Sequence, residues 1–169
     1  MLETPEELGR LQDLLDASMA GAGPHLRAII GEERRLDARE LTARLFGMRL
    51  LVLATATADG RPLCGPVDGY FLHGTFWFSS GRESVRLRHL ARRPAVSATH
   101  LPGEDLAVTV HGRAETFALD DARCAELRRA MLDEYLPKQG PSFEEWLDGA
   151  DALGARIEPE KMFTFSLTG

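Results

Sequence analysis

Phe76-Trp77-Phe78-Ser79-Ser80-Gly81-Arg82-Glu83-Ser84-Val85-Arg86 is the stretch on which the reading of this chain turns. Three consecutive aromatic residues favour a strand, and the two hydroxyls and the glycine behind them end it. Ser84 then stands where a helix N-cap belongs, ahead of Val85, Leu87 and Leu90 as an inward face. Arg86, Arg88, Arg92 and Arg93 make the other side of that helix basic, and Pro94 stops it. A strand that passes into a helix through serines gathers hydroxyls, backbone N–H groups and a guanidinium. All three favour a phosphate dianion. The same residues also read as a plain capped turn, and neither a glycine-rich P-loop nor G-x-G-x-x-G is present.

Outward from this stretch the pattern is β-rich. Leu50 to Thr57 is a strand, Asp59-Gly60 a hairpin turn, and Arg61 to Leu72 the returning strand. Pro62 and Pro66 interrupt the second strand, so part of it is expected to lie at an edge or bulge without a full ladder. His73-Gly74 turns the chain into the third strand, Thr75 to Ser79. Ala95 to His100 and Leu106 to Phe117 are the fourth and fifth, joined across Pro102-Gly103-Glu104-Asp105. Ala155 to Leu167 is the last. Antiparallel strands with one helical excursion point to a small barrel, which removes exposed edges.

Helices flank the strands. Thr4-Pro5-Glu6-Glu7 is a capping box with proline at the first helical position, followed by Leu8, Leu11, Leu14 and Leu15 at helical spacing. Gly21 to Pro24 breaks this helix, and Leu26, Ile29 and Ile30 suggest a second one. Asp37 with Glu40 opens a third, which runs to Gly47. Beyond the fifth strand, Asp120 is read as the cap of a helix to Leu136, with a break from Pro137 to Pro141 and a short helix from Ser142.

With 169 residues, 44% apolar and 27% charged, the chain suits one globular domain. The net charge of −6 argues against nucleic acid as a partner. No apolar run is long enough to span a bilayer, no basic-then-apolar leader is visible, and Cys64 and Cys124 lack metal or redox spacing. The expected location is the cytoplasm, with both thiols reduced. Nucleophilic catalysis finds no elbow motif and no Cys/His pair. His73, His100 and His111 have no metal-ligand spacing and read as structural.

The order of pieces resembles the pyridoxamine 5'-phosphate oxidase-like, FMN-binding split-barrel proteins. The pieces are Leu53-Ala54-Thr55, Asp59-Gly60-Arg61-Pro62, Gly65-Pro66-Val67, Phe76 to Ser80, Ser84-Val85-Arg86 with Leu90, Arg93-Pro94-Ala95-Val96, Val110 to Ala114 and Arg156-Ile157-Glu158-Pro159. The resemblance implies a mainly β fold with helical decoration, a split barrel over residues 40–169 behind an N-terminal helical extension over 1–39. It further implies a homodimer with FMN at the subunit interface. The phosphate is expected on Ser80, with Ser79, and on Ser84 and Arg86. The isoalloxazine ring is expected along the backbone of Gly65, Pro66, Val67 and Asp68. Prolines in that strand suit this role because they leave backbone groups free of a ladder. The apolar stripe of the first helix is expected to pack over the barrel or across the dimer.

The chain departs from the vitamin-B6 enzymes at several points. Val85-Arg86 stands where those enzymes carry Arg-Lys, Ala107 replaces a glutamine, and Asp68 adds an acid near the ring. The resemblance therefore implies a divergent member, a flavin-dependent oxidoreductase acting on a small organic substrate other than pyridoxamine phosphate. Two cofactor alternatives stay open, together with a non-catalytic role in flavin or haem binding or sensing. A deazaflavin would ask for cations beyond Arg86, from Arg82 or Arg88. Haem would ask for an axial ligand, from His89, His100 or His111.

Overall fold

The structure, a computed structural model, describes residues 2–167. Helix α1 (Pro5–Ala20) begins at the capping box read from the sequence. The Glu7 N–H donates to Thr4 Oγ1 at 3.2 Å and the Thr4 N–H to Glu7 Oε2 at 2.7 Å. Helix α2 (Pro24–Ile29), a single 3₁₀ turn (Glu32–Arg34) and helix α3 (Ala38–Arg44) follow, the last capped by Asp37. Six strands then form one closed antiparallel barrel in the order β1-β2-β3-β6-β5-β4. They are β1 (Met48–Ala56), β2 (Pro62–Leu72), β3 (Thr75–Gly81), β4 (Ala95–His100), β5 (Leu106–Ala118) and β6 (Ala152–Ser166). Helix α4 (Val85–Leu90) links β3 to β4, and α5 (Ala125–Gln139) with α6 (Ser142–Gly149) links β5 to β6.

Strand alternation separates the barrel core from clusters on its outer faces. Phe76, Phe78, Val108, Val110, Ile157 and Met162 fill the barrel, and Leu8, Leu11 and Leu15 of α1 belong to the same core. Helix α1 packs on its own barrel, as one of the two expected placements had it. Ser18 fastens it there by accepting from the Met162 N–H at 2.9 Å, while Thr164 Oγ1 accepts from the Leu36 N–H at 3.0 Å. On the outer side of β2 and β3, Tyr70, Leu72 and Trp77 pack with Leu127, Met131, Phe143 and Leu147 of α5 and α6. Trp77 is thus outside the barrel, 6.1 Å from the Phe117 ring.

Local departures from the sequence reading have local causes. Asp121, not Asp120, is the cap, and it opens a 3₁₀ turn (Ala122–Cys124) before α5 begins. Pro137 lies inside α5, which ends at Gly140 with φ 77°. A proline in the final turn removes one hydrogen bond near an end already short of partners, so the helix continues past it. Strand β6 starts three residues earlier than read, because Ala152, Leu153 and Gly154 carry little β signal and are paired by β3 and β5.

One link between these layers is titratable. His73 sits in the β2–β3 turn at φ 54°. Its Nδ1 meets Glu7 of α1 at 3.0 Å, and its Nε2 meets Glu126 of α5. Partial burial opposes the imidazolium, but the two carboxylates outweigh it and raise the pKa above the ordinary value. A raised folded-state pKa contributes stability that is fully present below the unfolded value, near 6.5, and is lost as pH rises through the folded value. His73→Asn, which tolerates the left-handed backbone, should therefore lower the denaturation midpoint at pH 6 and much less at pH 9. The expected loss at pH 6 is about 0.5–1 kcal/mol, the range of part-exposed ion pairs. An equal loss at both pH values would show that the imidazolium is not the cause.

Candidate functional site

β2 is paired unevenly. Its whole length, Pro62 to Leu72, is registered against β1, but β3 meets it only at Gly69 to Leu72. Residues 62–68 therefore have one edge without a strand partner. Arg86 of α4 identifies that edge, because its Nη2 donates to the Pro66 carbonyl at 2.9 Å. Alternate residues of a strand turn their N–H and C=O groups to the same side. Pro62, Cys64 and Pro66 accordingly share the open edge, and two of the three have no N–H to leave unsatisfied. The prolines are expected to free backbone groups. In the fold they leave carbonyls, with the N–H of exposed Cys64 as the donor between them.

The end of β3 and the start of α4 come to the same place. Phe76 and Phe78 are fully buried in the barrel, so Ser80 continues their inward row at the rim while Ser79 turns to the side of Trp77. Ser80 Oγ donates to Ser84 Oγ at 3.1 Å. Ser84 Oγ also accepts from the Leu87 N–H at 3.4 Å as the helix cap, which leaves its own O–H free to donate. A Cβ on Gly65 would lie 3.5 Å from Arg86 Nη2, ordinary van der Waals contact, so the guanidinium lies directly against this part of the strand. The structure thus places Gly65 and Pro66 beside Arg86, and Ser80 beside Ser84, with Ser84 capping the helix that carries Arg86. Ser79 is on the opposite face of its strand. The Val67 side chain is buried in the core, which leaves only its backbone at the surface of β2.

Neighbouring polar groups are committed elsewhere. Arg82 Nε is 2.7 Å from Asp151 Oδ1, and the Arg82 N–H donates to the Asp151 carbonyl at 2.9 Å. Arg88 Nη1 donates to the Glu83 carbonyl at 2.8 Å. His89 Nδ1 pairs with Thr55 Oγ1 at 3.0 Å and Arg93 Nε donates to the Ala56 carbonyl at 3.2 Å, so both pin α4 to β1. Leu87 and Leu90 are buried beneath the helix, whereas Val85, read as inward, is 46% exposed. Asp68 accepts from the Tyr135 hydroxyl, whose ionisation is pushed well up by burial and by that carboxylate. Tyr135 lies 67 residues from Asp68, and nothing in the local sequence announces the pair.

The histidines separate by position. His100 is buried with Nδ1 on the Leu50 carbonyl at 3.0 Å, and His111 is on the exposed outer face with Nδ1 on Ser97 Oγ at 2.8 Å. Among the described residues no group of three His, Cys, Asp or Glu side chains is placed to hold a metal ion, and no helix is long and apolar enough to cross a membrane.

Comparison with curated protein sequences gave no match. Among solved structures, the conserved hypothetical protein Rv2991 of Mycobacterium tuberculosis superposes with a TM-score of 0.65 at 20% identity, over 80% of this chain and 88% of that one. The haem storage protein HutZ of Vibrio cholerae gives 0.61 at 19% identity, over 78% and 95%. An F420 reductase gives 0.54 at 19% identity, over 71% and 93%. At these identities the likeness is one of fold. The sequence itself carries more, because residues 38–163 match the profile of the pyridoxamine 5'-phosphate oxidase family from α3 to β6. The chain is a member of the pyridoxamine 5'-phosphate oxidase family, built on its split barrel.

Proposed function

We propose that the chain binds FMN, with the phosphate on Ser80, Ser84 and Arg86 and the ring along β2 from Gly65 to Asp68. The observation that carries this reading is the convergence of an open strand edge with a hydroxyl pair and a guanidinium, contributed by three elements. The edge offers carbonyls and one N–H, and an isoalloxazine presents both N–H and carbonyl groups at its polar end. A deazaflavin is supported less well. Its longer acidic tail asks for free cations, and Arg82 and Arg88 already hold Asp151 and the Glu83 carbonyl. Haem is the second reading. It rests on His111, which lies exposed on the sheet, whereas His89 is half-buried and His100 is buried.

Bound FMN would supply hydride transfer, and the chain would bind, orient and polarise it, acting as an oxidoreductase on a small organic substrate. A homodimer suits the same reading. Leu50 and Val52 of β1 are 55% and 48% exposed on the outer face, with Val52 between Pro66 of β2 and Thr99 of β4, and Asp68 of β2 opposite Leu50. An exposed aliphatic pair on a sheet face is suited to a second copy. The purified protein should show the two visible bands of oxidised flavin, and heating should release FMN identifiable by chromatography. A Soret band would replace this reading with haem. A colourless protein that takes up no added FMN would defeat it.

A further inference from the structure

On the outer face of β2 the row Cys64, Pro66, Asp68, Tyr70 and Leu72 changes character at Asp68. Tyr70 and Leu72 are buried with the side chains of α5 and α6, whereas Cys64, Pro66 and Asp68 are exposed. Asp68 is also the last residue of the open edge, because β3 joins at Gly69. Its carboxylate is not loose at this boundary. The Tyr135 hydroxyl of α5 donates to Asp68 Oδ2, and the Tyr135 ring is itself packed on Phe143, 5.0 Å between centroids. Burial and the carboxylate keep that phenol protonated, so it remains a donor. Nor is the carboxylate neutralised. Among the described residues no ion pair includes Asp68. Lys138, which lies over the Tyr135 ring, is paired with Glu134.

A fixed, uncompensated negative charge matters to a ring that gains charge. Reduction of FMN by two electrons with uptake of one proton leaves a negative charge on the ring that the oxidised form lacks. A carboxylate beside the ring opposes that charge and has little effect on the neutral oxidised ring, so it weakens binding of the reduced form selectively. In the FMN reading above, on which this inference rests, the ring lies along β2 from Gly65 to Asp68, and the carboxylate stands at one end of it. We propose that Asp68 lowers the reduction potential of the bound flavin, and that Tyr135 is the positioning residue that holds the carboxylate at the ring. The bound cofactor is then a better hydride donor than the same site would make it with a neutral residue at position 68.

The test uses the full chain loaded with FMN and reduced by dithionite at neutral pH against an indicator dye of known potential. The amide of Asp68→Asn can still accept from the Tyr135 hydroxyl, so this variant removes the charge and keeps the bond. It should tighten reduced FMN relative to oxidised FMN about tenfold, read as a potential about 30 mV higher at 29.6 mV per decade for two electrons. In Tyr135→Phe the carboxylate loses its tether and turns to water, where its charge is screened. That potential should lie between those of the parent and Asp68→Asn, and the double variant should match Asp68→Asn, since Tyr135 acts through the carboxylate. A merely structural role would lower the thermal midpoint and leave the potential where it was. An unchanged or lower potential in Asp68→Asn with FMN still bound overturns the proposal and leaves the FMN reading standing. A parent that takes up no FMN overturns both. The parent's potential in Tyr135→Phe overturns the positioning role. Should Tyr135→Phe unfold, Asp68→Glu takes its place, because it keeps the charge but shifts it by one methylene from the Tyr135 hydroxyl. An intermediate potential is again expected, and the parent's value again overturns the role.

Discussion

Arg86→Ala is expected to weaken FMN by about 1.5–3 kcal/mol, the range for losing a charge-assisted hydrogen bond, or roughly 10- to 150-fold in dissociation constant. Riboflavin, which has no phosphate, should bind the variant and the parent almost equally. The contrast is needed because Arg86 has two attachments. In the proposed reading it meets the phosphate, and in the fold it donates to the Pro66 carbonyl on β2. If the side chain served only to hold α4 against the strand, its loss would disturb the ring site too, and both ligands would suffer alike. Arg86→Lys separates charge from shape. The ammonium keeps the charge but cannot span strand and phosphate as a planar fork, so an intermediate loss for FMN is expected. Fluorescence quenching of both ligands, titrated against the three proteins, reads all of this in one experiment. Equal losses for FMN and riboflavin would remove Arg86 from the phosphate site.

Much of this arrangement is legible in the sequence because it is built from short-range signals. The Thr4 and Asp37 capping boxes, the Asp59-Gly60 turn and the β-favouring runs each act within a few residues, and the strands lie where those signals put them. Ser84 caps α4 for the same reason, and Ser80 is near it because four residues separate them. What the sequence hides is set by long-range pairing. Pro62 and Pro66 announce that part of β2 lacks a full ladder, but the open edge ends at Gly69 because β3 joins only there, a register no local pattern encodes. The bond from Tyr135 to Asp68 depends on α5 returning across the sheet. Ser79 illustrates the limit in a single residue. Adjacent serines look equivalent in a string, and strand alternation then sends them to opposite faces.

Gly112→Ala should cost about 3 kcal/mol or more, a drop of roughly 6–12 °C in midpoint for a chain of this size. Ala155 and Ile157 of β6 are buried, and so are Met162, Thr164 and Ser166, so the inward row changes from odd to even numbers along one strand. A continuous strand cannot do this, because the side-chain period is two. The register shift opposite His111 and Gly112 supplies the extra residue, as β6 passes from Lys161 to Pro159 while β5 takes the single step from His111 to Gly112. The bulge presses the β6 backbone onto Gly112. A Cβ there would lie 2.0 Å from the Glu158 carbonyl oxygen and 3.1 Å from Pro159 Cα. Those are main-chain atoms of a central ladder and cannot swing aside as a side chain would. Either the bulge is lost and the inward row falls out of phase, or the two strands separate. Gly9 provides the opposite sign within the same molecule. It lies in the exposed interior of α1, and a Cβ there meets nothing within 4 Å. Gly9→Ala should therefore stabilise the protein by about 0.5–1 kcal/mol through helix propensity. Urea denaturation of both variants tests the argument. Similar midpoints for Gly112→Ala and the parent would mean that the close approach at the bulge relaxes at no cost, and the phase change would then need another origin.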